Sequence, residues 1–484
     1  MAALAVGLWG IRRDGTLWGD EAVTYEMAHR SVAGIWRTLG TVDAVHGLYY
    51  LLMHAVFALH DGGLTTLRLP SVLAVSAASA GVALIGHRLA GPRAGLLAGL
   101  VMPLIPAVQR YAQEGRSYAL VCALVVWATW LLLTKRWVAY TAAMLTACLL
   151  HEFAVLAVAA HGVTVFAGRA GGAIGTRASV QAGDAGRAGG AVGARGPGRA
   201  DPERHGFAGS RRAFVWAAGC VVAGLAPLAV FSTSQSAQVE WIGRPGAGTL
   251  IGYAALAAGA WVCARIRLPP GVHALALPLL LVPAGVLLAA SYLHPLYVDR
   301  YVLFSSAGLA LPAGAVLDRC WSRTVALAAV AAALVALLPV GLELRTPQSR
   351  KNDVTAVSAA VEATGRSGGF DGVLFTPARR RAWTLWRPAD FRGLPDLSLA
   401  RAPRASHTLF GTELPPDRIR ERIIAARRIV VVSDLPGQPL DAGVQEAVKR
   451  RTLRTYFVNC GSRKITSALI TVYARAGGCP DRTP

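Results

Sequence analysis

The sequence predicts a mostly α-helical, polytopic membrane protein with a small α/β domain at its C-terminal end. Three observations carry this. The 484-residue chain is 54% hydrophobic and only 16% charged, where soluble domains carry about 25% charge. Apolar runs of bilayer-spanning length follow one another as far as residue 342. Beyond it, the apolar runs shorten to strand length and alternate with amphipathic stretches.

The expected spans are 68–86, 94–110, 117–134, 137–150, 152–168, 213–231, 249–264, 272–292, 301–317 and 324–342. The opening "MAALAVGLWGI" is apolar but much shorter than the roughly 20 residues a span needs. It lacks a basic n-region and a clear cleavage site, so it reads as a truncated first helix rather than a signal peptide. That makes about eleven spans.

The loops alternate in charge. The segments 86–93, 134–136, 169–212, 265–267 and 318–323 are basic and are expected on the cytoplasmic side. The other side receives 12–67, 109–118, 149–153, 232–245, 291–301 and the C-terminal part. The run "HGLYYLLMHAVFALH", 46–60, would reach only about 21 Å as a helix. Counting it as a span would invert every later loop, so it is expected to be an interfacial or re-entrant helix on the extracytoplasmic side.

Residues 1–344 are thus expected to form a transmembrane catalytic domain, with an outer loop 12–67 and a flexible, Gly/Ala/Arg-rich cytoplasmic loop 169–212. Residues 345–484 form an extracytoplasmic α/β domain. Its expected strands are 371–376, 427–434, 453–459 and 468–474, and its expected helices 353–365 and 441–451.

The balance of 49 Lys and Arg against 27 Asp and Glu gives a net charge of +22. Much of the excess lies in short Arg-rich loops between apolar runs, and no nucleic-acid motif accompanies it, so no nucleic-acid partner is expected. No glycine-rich nucleotide fingerprint or P-loop occurs either. Of seven Cys, Cys460 and Cys479 lie in the polar C-terminal part, where an extracytoplasmic location would let them pair.

The polar residues placed for chemistry gather on the expected outer side. "LWGDEAVTYEMAHRS", 17–31, sets Asp20 and Glu21 between Trp18 and Tyr25. Interface carboxylates are usually solvated, but one of a semi-buried pair can serve as a general base. "DAVHG" adds Asp43 and His46, the latter suited to binding phosphate, binding a metal or capping the helix. Asp20, Glu21, Asp43 and His46 have the residue types for a divalent cation, but no ligand spacing supports one; no cofactor is required.

"YAQEGRSYAL", 111–120, brings Glu114, Arg116 and Tyr118 to the outer end of a span, as an ion pair or as ligands. "SQSAQVEWIGRP" contributes Gln238 and Trp241, the latter also suited to an aromatic belt. Arg300, at the head of "DRYVLFS", opposes the positive-inside trend and calls for an anionic partner such as a lipid phosphate.

Taken in order, "LWGDEAVTYEMAHRS", "VDAVHGLYYLLMH", "LRLPSVLA", "GHRLAGPRAGLLAGLVMPLIPAVQRYAQEGRSYAL" and "DRYVLFSSAGLALPAG" resemble the GT-C superfamily of polyprenyl-phosphate-sugar glycosyltransferases. The similar branch is that of protein O-mannosyltransferases and aminoarabinose transferases (glycosyltransferase family 39-like), in its actinobacterial form. The resemblance covers roughly residues 1–345.

The resemblance implies a GT-C fold and transfer, with inversion, of a sugar, by default mannose, from a polyprenyl-phosphate donor. The acceptor would be a glycan, lipid or protein hydroxyl at the outer face of the cell membrane. It implies Asp20 as the base, with Glu21 beside it. Arg116 and Arg300 would hold the lipid phosphate. The residues' own placement, apart from the resemblance, makes His46, Asp43, Glu114, Tyr118, Gln238 and Trp241 the substrate-binding candidates. The family's His-Pro-Pro is His46-Gly47-Leu48 here. A flippase for a lipid-linked sugar would instead show internal repeats and mid-span charges. A non-catalytic scaffold would leave the clustered outer acids and arginines unexplained.

Overall fold

The computed structural model describes residues 1–167, 202–236, 242–319, 323–350, 352–366, 368–438 and 440–479. It is mostly helical. Among the described residues, α-helices succeed one another as far as Glu343 and are followed by a mixed α/β segment. Every apolar run expected to span falls on helix. Among the described residues, five helices are long and apolar enough to cross a bilayer: Leu64–Ala90, Ser210–Thr233, Ala247–Arg265, Pro270–Ala290 and Asp299–Arg319. Pro92–Leu104 and Pro106–Ala112 make a sixth if the pair, bent by 65°, counts as one. The chain is a multi-pass membrane protein.

The expected count was about eleven spans. Tyr118–Leu133, Trp137–Leu150, Glu152–Ala167 and Val330–Glu343 are apolar but shorter. The run 137–167 is divided where His151 turns extended between two helices.

The described chain divides into two compact units. The first comprises Met1–Leu8, Pro70–Gln113 and Ser117–Gly341. It holds α1 (Ala2–Leu8), most of α5 (Leu64–Ala90), α6 (Pro92–Val101), α7 (Pro106–Ala112), α8 (Tyr118–Leu133), α9 (Trp137–Leu150), α10 (Val155–Ala167), α11 (Pro202–Thr233), α12 (Ala247–Arg265), α13 (Pro270–Ala290), α14 (Ser306–Arg319) and α15 (Arg323–Glu343). Lipid tails are as apolar as leucine, so these helices pack through close backbone approach rather than hydrophobic exclusion.

Glycine permits that approach. A Cβ on Gly95 would come within 2.4 Å of the Ala83 carbonyl of α5, and one on Gly314 within 2.4 Å of the Ala98 nitrogen of α6. In contrast, α12 shows apolar side chains such as Ile251 and Trp261 on its surface, as a lipid-facing helix does.

The second unit comprises Trp9–Leu69, Glu114–Arg116 and Leu342–Pro484. The sequence division at 344/345 grouped 12–67 with the membrane helices; in the structure those residues share a compact unit with the C-terminal segment. Hydrogen bonds between distant backbones explain this, with Val354 N–H donating to the Leu17 carbonyl at 3.0 Å. The unit contains α2 (Gly19–Ala28), α3 (Val32–Leu39) and α4 (Gly47–Leu59). Helix α4 covers the run expected to be an interfacial or re-entrant helix; it buries Tyr49, Tyr50, Met53 and Phe57, at helical spacing.

Downstream come α16 (Val354–Arg366), β1 (Gly372–Thr376), β2 (Leu399–Arg401), α17 (Pro403–Ser406), β3 (Thr412–Glu413), α18 (Pro416–Ala425), β4 (Arg428–Asp434), α19 (Val444–Tyr456), β5 (Val458–Ile465) and β6 (Ala468–Ala474). The main sheet has the order β1-β4-β6-β5, with β1 parallel to β4 and the other pairs antiparallel. Ile429 and Val431 of β4 join Leu374, Ile419, Ile423 and Leu453 in one core. Val430 and Val432 are buried as well, so both faces of this central strand are covered, which accounts for its continuous apolar sequence.

One expected element differs. "LRTYFVN", 453–459, reads as a strand, but α19 continues through Tyr456 and the strand begins at Val458. Lys449 and Leu453 are buried four residues apart, and burying that helical face outweighs the local β preference.

Gly314→Leu should disrupt the α6–α14 contact and cost about 1–3 kcal/mol or more. Thermal unfolding in detergent should show the loss as a lower Tm, whereas the same change at Gly219, which has open space around it, should be nearly neutral.

Candidate functional site

The two adjacent carboxylates occupy the first turn of α2, where the helix dipole favours negative charge. Successive helical residues point about 100° apart, and the pair is split accordingly. Glu21 turns inward and is fully buried. Its Oε1 accepts from Arg68 Nε at 2.8 Å and from the Gly115 N–H at 3.0 Å. Its Oε2 accepts from Arg68 Nη2 at 2.7 Å and from the Trp18 N–H at 3.2 Å, which also caps the helix.

Arg68 donates further to the carbonyls of Ile11 (2.7 Å) and Thr16 (2.6 Å). Burial alone would raise the Glu21 carboxyl; the Arg68 charge and hydrogen bonds, then Arg13 and Gly115, bring it down to about 2. Arg13 is itself pushed down to about 9 by burial and by the charges of Arg350 and Arg68. Glu114 pairs with Arg350 at 3.4 Å.

Asp20 is only half-buried. Its carbonyl accepts from Thr24 Oγ1 at 3.1 Å, and its charge reaches His46, which it raises. Beside it lies a buried polar network. Asp43, at φ 60, heads a short turn into α4, placing His46 and Tyr50 four residues apart. Asp43 Oδ1 pairs with His46 Nδ1 at 2.9 Å, and Oδ2 accepts from the Tyr50 hydroxyl. Arg116 Nη2 faces His46 Nε2 at 3.0 Å, and Nη1 donates to Tyr50 Oη at 3.2 Å and to Thr24 Oγ1 at 3.4 Å.

A guanidinium only donates. His46 Nε2 must therefore accept, leaving the proton on Nδ1 directed at Asp43. The ring is thus neutral and held in one tautomer. Burial and the Arg116 charge lower its pKa in agreement, against the opposing pull of Asp43 and Asp20. Burial would raise the Asp43 carboxyl, but His46 and Arg116 hold it well below the usual carboxylate range.

A second cluster belongs to the helical unit. The Arg300 guanidinium lies 5.5 Å from the Tyr118 ring and 5.7 Å from that of Tyr301. Tyr301 packs against His151 at 4.5 Å and Phe153 at 5.3 Å. Asp299 Oδ1 accepts from the Tyr111 hydroxyl at 3.0 Å and from the Arg300 N–H at 2.9 Å. A cavity of about 520 Å³ lies beside Asp299, lined by Tyr253, Leu256, Ala284, Tyr297 and Val298.

The structure therefore brings Asp43, His46 and Arg116 into one network next to Asp20, ties Glu21 to Arg68 and Glu114 to Arg350, and joins Tyr118 to Arg300. Gln238 and Trp241 lie outside the described residues. Cys460 and Cys479 are disulfide-bonded. Among the described residues no group of three or more His, Cys, Asp or Glu side chains is arranged to hold a metal ion. Sequence reasoning assigned no role to Arg68, Tyr50, Thr24 or Arg350. Arg68 carried a usable signal, an arginine inside an apolar run; Tyr50 and Thr24 carried none beyond their helical spacing.

Glu21→Ala should leave Arg68 buried without its carboxylate and cost about 3–5 kcal/mol, read as a large fall in Tm, while Asp20→Asn should leave Tm nearly unchanged. The depressed His46 pKa contributes stability that is present above the ordinary histidine value of about 6.5 and lost as pH falls through the folded-state pKa. The Tm difference between the native chain and His46→Gln should therefore narrow from pH 7.5 to pH 5.5.

No protein-family model matches the chain, and no curated protein matches it. Solved structures do share its fold. ArnT from Cupriavidus metallidurans in the apo state superposes with a TM-score of 0.57 at 14% identity, over 97% of this chain and 96% of that one. ArnT from the same organism bound to undecaprenyl phosphate gives a TM-score of 0.54 at 13% identity over the same shares. The architecture shares the fold of these ArnT structures and carries a small C-terminal sheet.

Proposed function

We propose that this protein is a membrane glycosyltransferase that moves a sugar from a polyprenyl-phosphate donor to an acceptor hydroxyl, with inversion. One observation carries the proposal. Asp20 stands half-exposed on a helix that its neighbour Glu21 anchors, beside a neutral His46 held between Asp43 and Arg116. The fold is shared with a protein solved with undecaprenyl phosphate, which supports a polyprenyl-phosphate donor.

Asp20 accepts the proton of the acceptor hydroxyl as its oxygen attacks the anomeric carbon. The bond from that carbon to the phosphate oxygen breaks on the opposite face, and the polyprenyl phosphate leaves with the electron pair. Phosphate is already a good leaving group and needs charge stabilisation more than protonation. Arg116, which faces His46, is the cation that the unit carrying Asp20 offers to it. Glu21, at about pKa 2 and saturated by Arg68, holds the helix rather than the proton.

The mannosyl donor and a glycan, lipid or protein acceptor follow from the sequence resemblance. The extracytoplasmic face is supported by the basic loops on the opposite side and by the Cys460–Cys479 bond, which fits an oxidising compartment.

The test uses purified protein with polyprenyl phosphates carrying radiolabelled mannose or a pentose. Asp20→Asn should lower transfer by about 10²–10⁴-fold, the contribution of a general base, with donor binding and Tm retained. Full activity in this variant would remove Asp20 from the role. Movement of intact donor across a vesicle, with no sugar released, would mark a transporter instead.

A further inference from the structure

The C-terminal segment reaches both ends of α2, and the function proposed above gives this a consequence. Before the helix, the Leu17 N–H donates to Thr355 Oγ1 at 3.3 Å, Thr355 Oγ1 donates to the Gly15 carbonyl at 3.2 Å, and the Val354 N–H donates to the Leu17 carbonyl at 3.0 Å. In the last turns of α2, Glu26 is buried and Arg404 grips it with both arms, Nε to Oε1 at 2.7 Å and Nη2 to Oε2 at 2.9 Å. Tyr25 meets the Trp386 ring edge-on at 4.6 Å. Just past the helix, Arg30 Nη2 donates to the Thr408 carbonyl at 2.9 Å. Asp20 lies between these two sets of anchors.

We propose that residues 353–408 act as a clamp that sets the pitch of α2, and that Arg404 is a positioning residue for the base Asp20, acting through Glu26. This rests on the glycosyltransferase reading of Asp20. Three features favour a positioning role over a purely structural one. The fork is bidentate, so it fixes direction as well as distance. The Arg404 side chain is 61% exposed, so little packing depends on it. Arg30 also faces Glu26, at 3.5 Å, so loss of Arg404 leaves the buried carboxylate with a cation and the fold intact. A base displaced by about 1 Å loses rate without losing donor affinity.

The experiment compares the full-length native chain with Arg404→Ala and Arg404→Lys in detergent, using whichever of the two polyprenyl-phosphate donors turns over. Amide hydrogen exchange of 22–28 is measured on the same samples. Arg404→Ala should lower kcat on the order of 10- to 100-fold with donor KM unchanged, and speed exchange across α2. Arg404→Lys, which keeps the charge but not the fork, should recover part of both. Unchanged exchange in Arg404→Ala overturns the clamp, whatever the activity. Faster exchange with unchanged kcat overturns the positioning role. If the native chain turns over neither donor, the glycosyltransferase reading fails by itself, and the exchange data alone decide the clamp.

Discussion

The buried pair of Glu21 and Arg68 is the constraint on which the rest of the candidate site depends. Neither group is tolerable alone in a dry interior, and their attraction repays the desolvation only because the geometry is nearly complete. The guanidinium uses both arms on the carboxylate and two further donors on two carbonyls, and the carboxylate takes two backbone N–H groups as well. With four of the five guanidinium N–H groups used, such a network favours one arrangement. It pins the start of α5, the Gly115 turn and the first turn of α2 to one another. With Glu21 fixed inward, the helix leaves Asp20 pointing elsewhere, at the edge of the interior.

The second network turns the same principle to a different end. Around His46 the groups are satisfied in only one protonation pattern, because Arg116 can donate but not accept. The imidazole is therefore neutral, with its proton facing Asp43. Two buried acids stay ionised, Glu21 on the Arg68 guanidinium and Asp43 through the hydrogen bonds of His46 and Tyr50 and the nearby Arg116 charge. Asp20, one residue from Glu21, is only half-buried. Environment, not residue type, separates the roles.

The helical unit is held by a different force. Bilayer-facing helices gain little from excluding water, so they approach where side chains are smallest, at Gly95 and Gly314. This tight seam contrasts with the polar, ion-paired interior of the unit that carries Asp20, where direction is fixed by hydrogen bonds rather than by close packing.

The sequence by itself determined the class of the molecule and the approximate place of the long apolar helices, though not of α2, α3, α17 or α18. Run length and hydropathy are local properties, and they survive folding unchanged. It also placed the strands around Val430 and Ile470, since apolar runs bounded by turns read directly. Local signals failed where two preferences competed, as at residues 453–456, where burial of a helical face prevailed over β-forming side chains.

Only the tertiary structure separates the surroundings of Asp20 and Glu21. The deciding partners, Arg68 and Gly115, stand 47 and 94 residues away, and no periodicity or spacing links them to the pair. The same holds for Arg404, 378 residues from the glutamate it grips. A charge's role is set by what surrounds it in three dimensions, and sequence states only that the charge exists.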